Sequence, residues 1–116
     1  MQQQLESKHF ADLNGNPAGG VTTGIGIDIF WQNGPLQVPG AERQGPNGAF
    51  VEGVIEAAAD RLRFYQSGRF ACRENAIALT KLEEALHWLQ HRTADREARG
   101  VEGTHKVLVA SNLKLV

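Results

Sequence analysis

Arg92, Arg96 and Arg99 are spaced by four and three residues in "HRTADREARGVEGTH", so on a helix their guanidinium groups are surface neighbours. Like charges at that spacing mildly destabilise an isolated helix, and an anion seated between them would relieve the repulsion. Arginine suits that task because its planar guanidinium grips a phosphate through two parallel N–H donors. The competing account is local neutralisation. Asp95 precedes Arg99 by four residues and Glu97 lies between the arginines, and exposed ion pairs of that kind are common and weak. Spacing alone leaves both accounts open.

A second constellation lies in "RFYQSGRFACREN". It places Phe64, Tyr65 and Phe70 near Arg69, Arg73 and Asn75. Phe64 and Phe70 read as side chains that cap a core beside a turn. Tyr65 differs, because its ring offers a face to a base while its hydroxyl stays wet. Asn75 carries the paired donor and acceptor that fit an adenine edge. His87 and His91 have a spacing able to bind a metal, but neither HExxH nor a third ligand accompanies them, and exposed helix histidines are the plainer account. "GGVTTGIG" lacks the Lys-Ser/Thr pair of a P-loop and does not lead into a helix. Cys72 is the single cysteine. It has no disulfide partner and is expected at a buried helical position, where a thiol is inert.

The elements that must position these residues follow from periodicity and turn chemistry. Residues 1–20 are polar and end in the turn formers "NGNPAGG", which predicts a mobile arm. Residues 21–46 form a β region. There Ile25, Ile27 and Ile29 alternate with Gly24, Gly26 and Asp28 in a strand from Val21 to Phe30, and Asn33-Gly34 gives a hairpin turn. Pro35 makes the returning strand, Leu36 to Val38, short or peripheral. A helical region, 47–105, opens with Asn47 as the cap of a helix running to about Gln66, with Val51, Val54, Ile55, Ala58, Leu62 and Tyr65 on one face. After a short turn containing Ser67 and Gly68, a second helix from about Ala71 to Ala98 carries Ala76, Leu79, Leu82, Leu86 and Leu89. The pair is an αα-hairpin, and Gly100 supplies its stop. Residues 106–116 include Val107, Leu108 and Val109, which fit either a further strand or a trailing segment.

Composition sets the bounds. Twelve Lys plus Arg against thirteen Asp plus Glu leave a net charge of −1 over 116 residues. That balance argues against broad binding to DNA, RNA or an anionic membrane, so any anion site is local. A chain of this size buries only about two-thirds of its unfolded surface, for which a homo-oligomer is a natural remedy. The opening "MQQQLESKHFADLNG" has no apolar stretch of signal-peptide length, and no window reaches the roughly 20 apolar residues of a membrane span.

The stretch "FYQSGRFACRENAIALTKLEEALHWLQHRTADREARGVEGTH" resembles the helical hairpin shared by two kinds of phage anti-defence protein, the anti-Thoeris sponges and the anti-CBASS cyclic-nucleotide sponges. The preceding "IDIFWQNGPLQVPG" and "GPNGAFVEGVIEAAADRL" are similar to the β region and first helix of the anti-Thoeris branch. The resemblance implies a protein that binds the glycocyclic ADP-ribose signal of Thoeris TIR enzymes in the cytoplasm of the infected host and holds it uncleaved, with no cofactor and no metal. Cyclic di- and trinucleotides of CBASS are a second ligand class, at a separate site. By the same resemblance Tyr65 would stack on the adenine, Asn75 would hydrogen-bond the ligand, Arg92 and Arg96 would hold its phosphates, and Thr104 and His105 would close the pocket from the same or a partner chain. The sequence departs from the pattern at Tyr65, where Phe is usual, and at Arg63 and Arg69, where Gly and Pro are common.

The expectation is therefore an α+β protein, a small antiparallel β region packed on a two-helix αα-hairpin, assembled as a dimer or a hexamer. Two rivals remain in view. One is a phosphodiesterase-like enzyme that degrades the signal, for which His87 and His91 are the local metal candidates. The other is a structural protein that uses the hairpin only to oligomerise.

Overall fold

The computed structural model describes residues 4–36 and 40–98. Three strands precede two helices, β1 (Glu6–Ala11), β2 (Pro17–Gly24), β3 (Ile27–Asn33), α1 (Val51–Gln66) and α2 (Arg73–Ala98), which is the α+β class. The chain divides into a β unit that ends at Ala49 and a helical unit, Phe50–Asp95.

The sheet is an antiparallel meander in the order β1-β2-β3. The stretch expected as a mobile arm, residues 1–20, carries β1 and the first half of β2 among its described residues, with pairing from Glu6↔Thr23 to Ala11↔Pro17. The "DLNGN" segment, Asp12 to Asn16, is the turn between the two strands. Asp12 Oδ1 accepts the backbone N–H of Asn14 at 2.8 Å and of Asn16 at 3.0 Å, the side-chain-to-backbone closure that makes Asp a turn former. β1 escapes a periodicity reading because every one of its residues is exposed, so no apolar alternation marks it. A polar ladder joins the three strands instead: Trp31 Nε1 donates to Thr22 Oγ1 at 2.8 Å, and the Thr22 and Ser7 hydroxyls are hydrogen-bonded to each other at 2.9 Å.

The hairpin turn also moves. β2 and β3 are joined through Ile25-Gly26, where Gly26 takes φ +73°, a left-handed conformation that a side chain disfavours. Among the described residues no returning strand follows Asn33-Gly34. Leu36 is outside any strand, and residues 37–39 lie outside the described residues. The edge of β3 where a returning strand would pair is taken by the chain just before α1. Ala49 bridges Trp31 in parallel, accepting from Gln32 N–H at 3.0 Å and donating to Phe30 O at 2.7 Å. A Cβ on Gly48 would stand 2.6 Å from the Trp31 carbonyl carbon, so only glycine lets the strap approach so closely.

Asn47 belongs to this strap and does not cap α1. Its side chain accepts from Asn33 N–H at 2.8 Å and donates to Asn33 O at 2.9 Å. The N-cap position is Phe50, in extended conformation and without a side-chain cap bond. At the other end α2 begins two residues later than expected, with Cys72 as its cap. Ala76 N–H donates to Cys72 O at 3.1 Å, and Asn75 N–H to Cys72 Sγ at 3.4 Å. The thiol is thereby exposed, against the expectation of burial.

Two ion pairs cross between the antiparallel helices. Arg63 reaches Glu83 and Arg92 reaches Glu52, each at 3.5 Å. The apolar stripe holds in outline. Val54, Ile55, Leu62, Leu79, Leu82 and Leu89 are half-buried, but among the described residues of the hairpin only Ala59 and Leu86 are buried. Val51, Phe64, Phe70, Ile77 and Trp88 stay exposed, more apolar surface than two helices are able to cover for each other.

Candidate functional site

Tyr65 and Asn75 flank the interhelical turn, Tyr65 in the last turn of α1 and Asn75 in the first turn of α2. The Tyr65 ring is 37% exposed and leans against Phe64, with ring centroids 6.0 Å apart. Neither the Tyr65 hydroxyl nor the Asn75 amide has a hydrogen-bond partner among the described residues, so both keep their capacity for a ligand. The turn end is cationic: residues 61–73 hold four arginines and no acidic residue. Their guanidinium groups are not equivalent. Arg61 lies 4.9 Å from the ring centroids of both Phe64 and Tyr65, and Arg69 lies 5.2 Å from that of Phe70. Arg63 is occupied by Glu56 at 2.9 Å and by Glu83. The hydrogen bond to Glu56 above all, with Glu83 adding to it, holds the Arg63 guanidinium above its ordinary value. This arginine is a clip between the helices.

Arg61 is a residue that the sequence reading missed. Its signal was its position three and four residues before Phe64 and Tyr65, the spacing that makes helix neighbours.

Arg92 and Arg96 sit toward the opposite end of the hairpin, one turn apart on α2. Arg92 is half exposed and shares its charge with Glu52. Arg96 is half-buried, in the last turn, where a cation also opposes the negative end of the helix dipole. Seventeen residues separate Asn75 from Arg92, which at 1.5 Å per residue is about 25 Å. A ligand pocket of roughly 300–1,000 Å³ is only about 8–12 Å across. One chain therefore brings Tyr65 and Asn75 to one end and Arg92 and Arg96 to the other. Arg99, Thr104 and His105 lie outside the described residues, as does the segment 106–116.

His87 and His91 stand edge-on to Trp88, at centroid distances of 5.5 and 5.9 Å, and among the described residues no three His, Cys, Asp or Glu side chains are grouped to hold a metal. No described helix is long and apolar enough to cross a membrane. Along α2 a shallow groove is lined by Arg73, Ala76, Ile77, Thr80 and Lys81, which together form one face of the helix.

Residues 24–94 match the family model described as "Acb2/Tad1, hairpin domain". A protein of Bacillus phage SBSphiJ7 named "Thoeris anti-defense 1" is 53% identical over 78 residues, covering 67% of this chain and 51% of the phage protein. The chain thus spans about half the length of that relative. The family-model match includes α1 and α2 up to Ala94 and takes in Tyr65, Asn75 and Arg92. With most of its length covered by that model, the chain belongs to the Acb2/Tad1 hairpin family.

Proposed function

We propose that the protein is an anti-Thoeris sponge, binding glycocyclic ADP-ribose and withholding it uncleaved in the infected cell. The observation that carries this reading is the pairing of an exposed Tyr65 ring with an unengaged Asn75 amide at the cationic turn, in a chain whose relative is named for Thoeris anti-defence. A base stacks on the ring and hydrogen-bonds the amide. Arg92 and Arg96 grip the phosphates.

Because Asn75 stands about 25 Å from Arg92 along α2, with Tyr65 at the Asn75 end, the pocket is shared between two copies, one giving its turn end and the other its open end. The same association covers the exposed Val51, Phe64, Ile77 and Trp88, and Thr104 and His105 close the pocket. Cyclic di- and trinucleotides are the second ligand class, at a separate site that needs the higher oligomer.

Nothing in this arrangement has to break a bond. Stacking at about 1–3 kcal/mol and several charge-assisted phosphate bonds approach the roughly −12 kcal/mol of a nanomolar complex. Calorimetric titration with glycocyclic ADP-ribose, followed by heating and mass analysis of the released ligand, tests the reading. Tight binding and intact release are expected. A hydrolysed product would favour the enzymatic rival, and no binding the structural one.

A further inference from the structure

The turn that carries Tyr65 and Asn75 is closed by one side chain. Gln66, the last residue of α1, reaches across to Cys72: its Nε2 donates to Cys72 O at 3.1 Å, and its Oε1 accepts from Cys72 N–H at 3.0 Å. The primary amide thus mimics a strand partner and fixes a backbone unit in both directions. Cys72 in turn caps α2, its carbonyl receiving Ala76 N–H and its sulfur Asn75 N–H. Gln66 also follows Tyr65 directly in the chain. A single side chain therefore connects the helix end that holds the ring to the helix start that holds the amide. The backbone bonds of the turn do not do this, since Ser67 and Gly68 N–H bond back into α1 and Ala71 N–H bonds to Gly68 O.

We propose that Gln66 is a positioning residue of the base-binding end: it touches no ligand and sets the spacing between the Tyr65 ring and the Asn75 amide. This rests on the reading of Tyr65 and Asn75 as base contacts. Preorganisation of that pair matters because a ligand that must first order its site loses affinity to the ordering.

Two readouts test it on the full chain. Tyr65 is the only tyrosine, so protein labelled with 3-fluorotyrosine gives one ¹⁹F resonance that reports on the ring without ligand. Gln66→Ala should shift and broaden that resonance while helix content and oligomer mass stay as in the unchanged protein. It should also weaken glycocyclic ADP-ribose about tenfold, two modest hydrogen bonds' worth, and leave inorganic pyrophosphate binding alone. In an Asn75→Ala background the same change should cost nothing further. Gln66→Glu, which keeps the acceptor and loses the donor, should fall between. An unshifted resonance, or an equal loss with and without Asn75, overturns the proposal. If Tyr65→Ala and Asn75→Ala weaken the ligand and Gln66→Ala does not, the base site stands and the positioning role falls. If none of the three weakens it, the site reading falls and takes this inference with it.

Discussion

The sharpest consequence of the proposed shared pocket is a complementation experiment between two crippled chains. Asn75→Trp fills the base end with an indole, and Arg92→Ala with Arg96→Ala strips the phosphate end. Each arginine lost forfeits about 1.5–3 kcal/mol of charged hydrogen bonding, so the double change costs about 3–6 kcal/mol, more than a hundredfold in affinity. Neither variant alone should take up glycocyclic ADP-ribose at concentrations that saturate the unaltered protein. The two lesions lie about 25 Å apart along α2, too far for one pocket in one chain. In a heterodimer of the two variants, one pocket collects both lesions and the other collects none, so one of two sites regains full affinity. Purification of the heterodimer through two different tags, followed by calorimetry, should give about half the unaltered site number at unaltered affinity, and random reassortment of the mixed variants about a quarter. A purified heterodimer that binds nothing would refute the shared pocket, since it would mean that base and phosphate residues must come from the same chain.

Other outcomes follow from single contacts. Tyr65→Ala should lose the stacking contribution, about 1–3 kcal/mol, whereas Tyr65→Phe should bind within about twofold of the original in the same titration. Glu52 competes with any phosphate for Arg92 across 3.5 Å; because exposed pairs contribute only about 0–1 kcal/mol, Glu52→Gln should tighten ligand binding by up to about fivefold at low salt, and weakened binding would show instead that Glu52 orients the guanidinium. Thr22→Val leaves the Trp31 indole N–H without its acceptor and should destabilise the sheet by about 1–3 kcal/mol, read by Trp fluorescence in denaturant, with ligand affinity unchanged.

The helical hairpin was legible because its signals are local. Leucines at 79, 82, 86 and 89 keep the helical period, and a short run of Ser and Gly marks the turn. The sheet was not, and for physical reasons that differ along the chain. β1 is exposed throughout, so burial imposed no alternation on it. The Asn33-Gly34 signal was sound as turn chemistry, since Gly34 does take φ +80°. It failed as a hairpin because the strand edge it would have served is occupied by Ala49, a pairing between residues far apart in sequence that no window reveals. Asn47 erred in the same way, a good capping residue recruited by Asn33. At the candidate site, spacing singled out the arginines and resemblance gave them roles, but the separation of the two ends needed the helix lengths. Gln66 carried no signal, because a glutamine at a helix end has no distinguishing pattern until its partner is known.

Sparse burial and a divided site have one root in the proposed assembly. With only Ala59 and Leu86 buried among the described residues of the hairpin, a single copy hides too little apolar surface to offset the entropy of ordering two helices. A second copy laid along the exposed face supplies the missing burial and completes each pocket in the same step. Ligand that bridges the two copies binds the assembled state alone, so by mass action it stabilises the oligomer as it is captured. Dilution should therefore weaken apparent affinity for glycocyclic ADP-ribose in step with dissociation of the oligomer, read by titration at a series of protein concentrations. An affinity that stays constant across dilutions over which the oligomer dissociates would place the whole pocket within one chain.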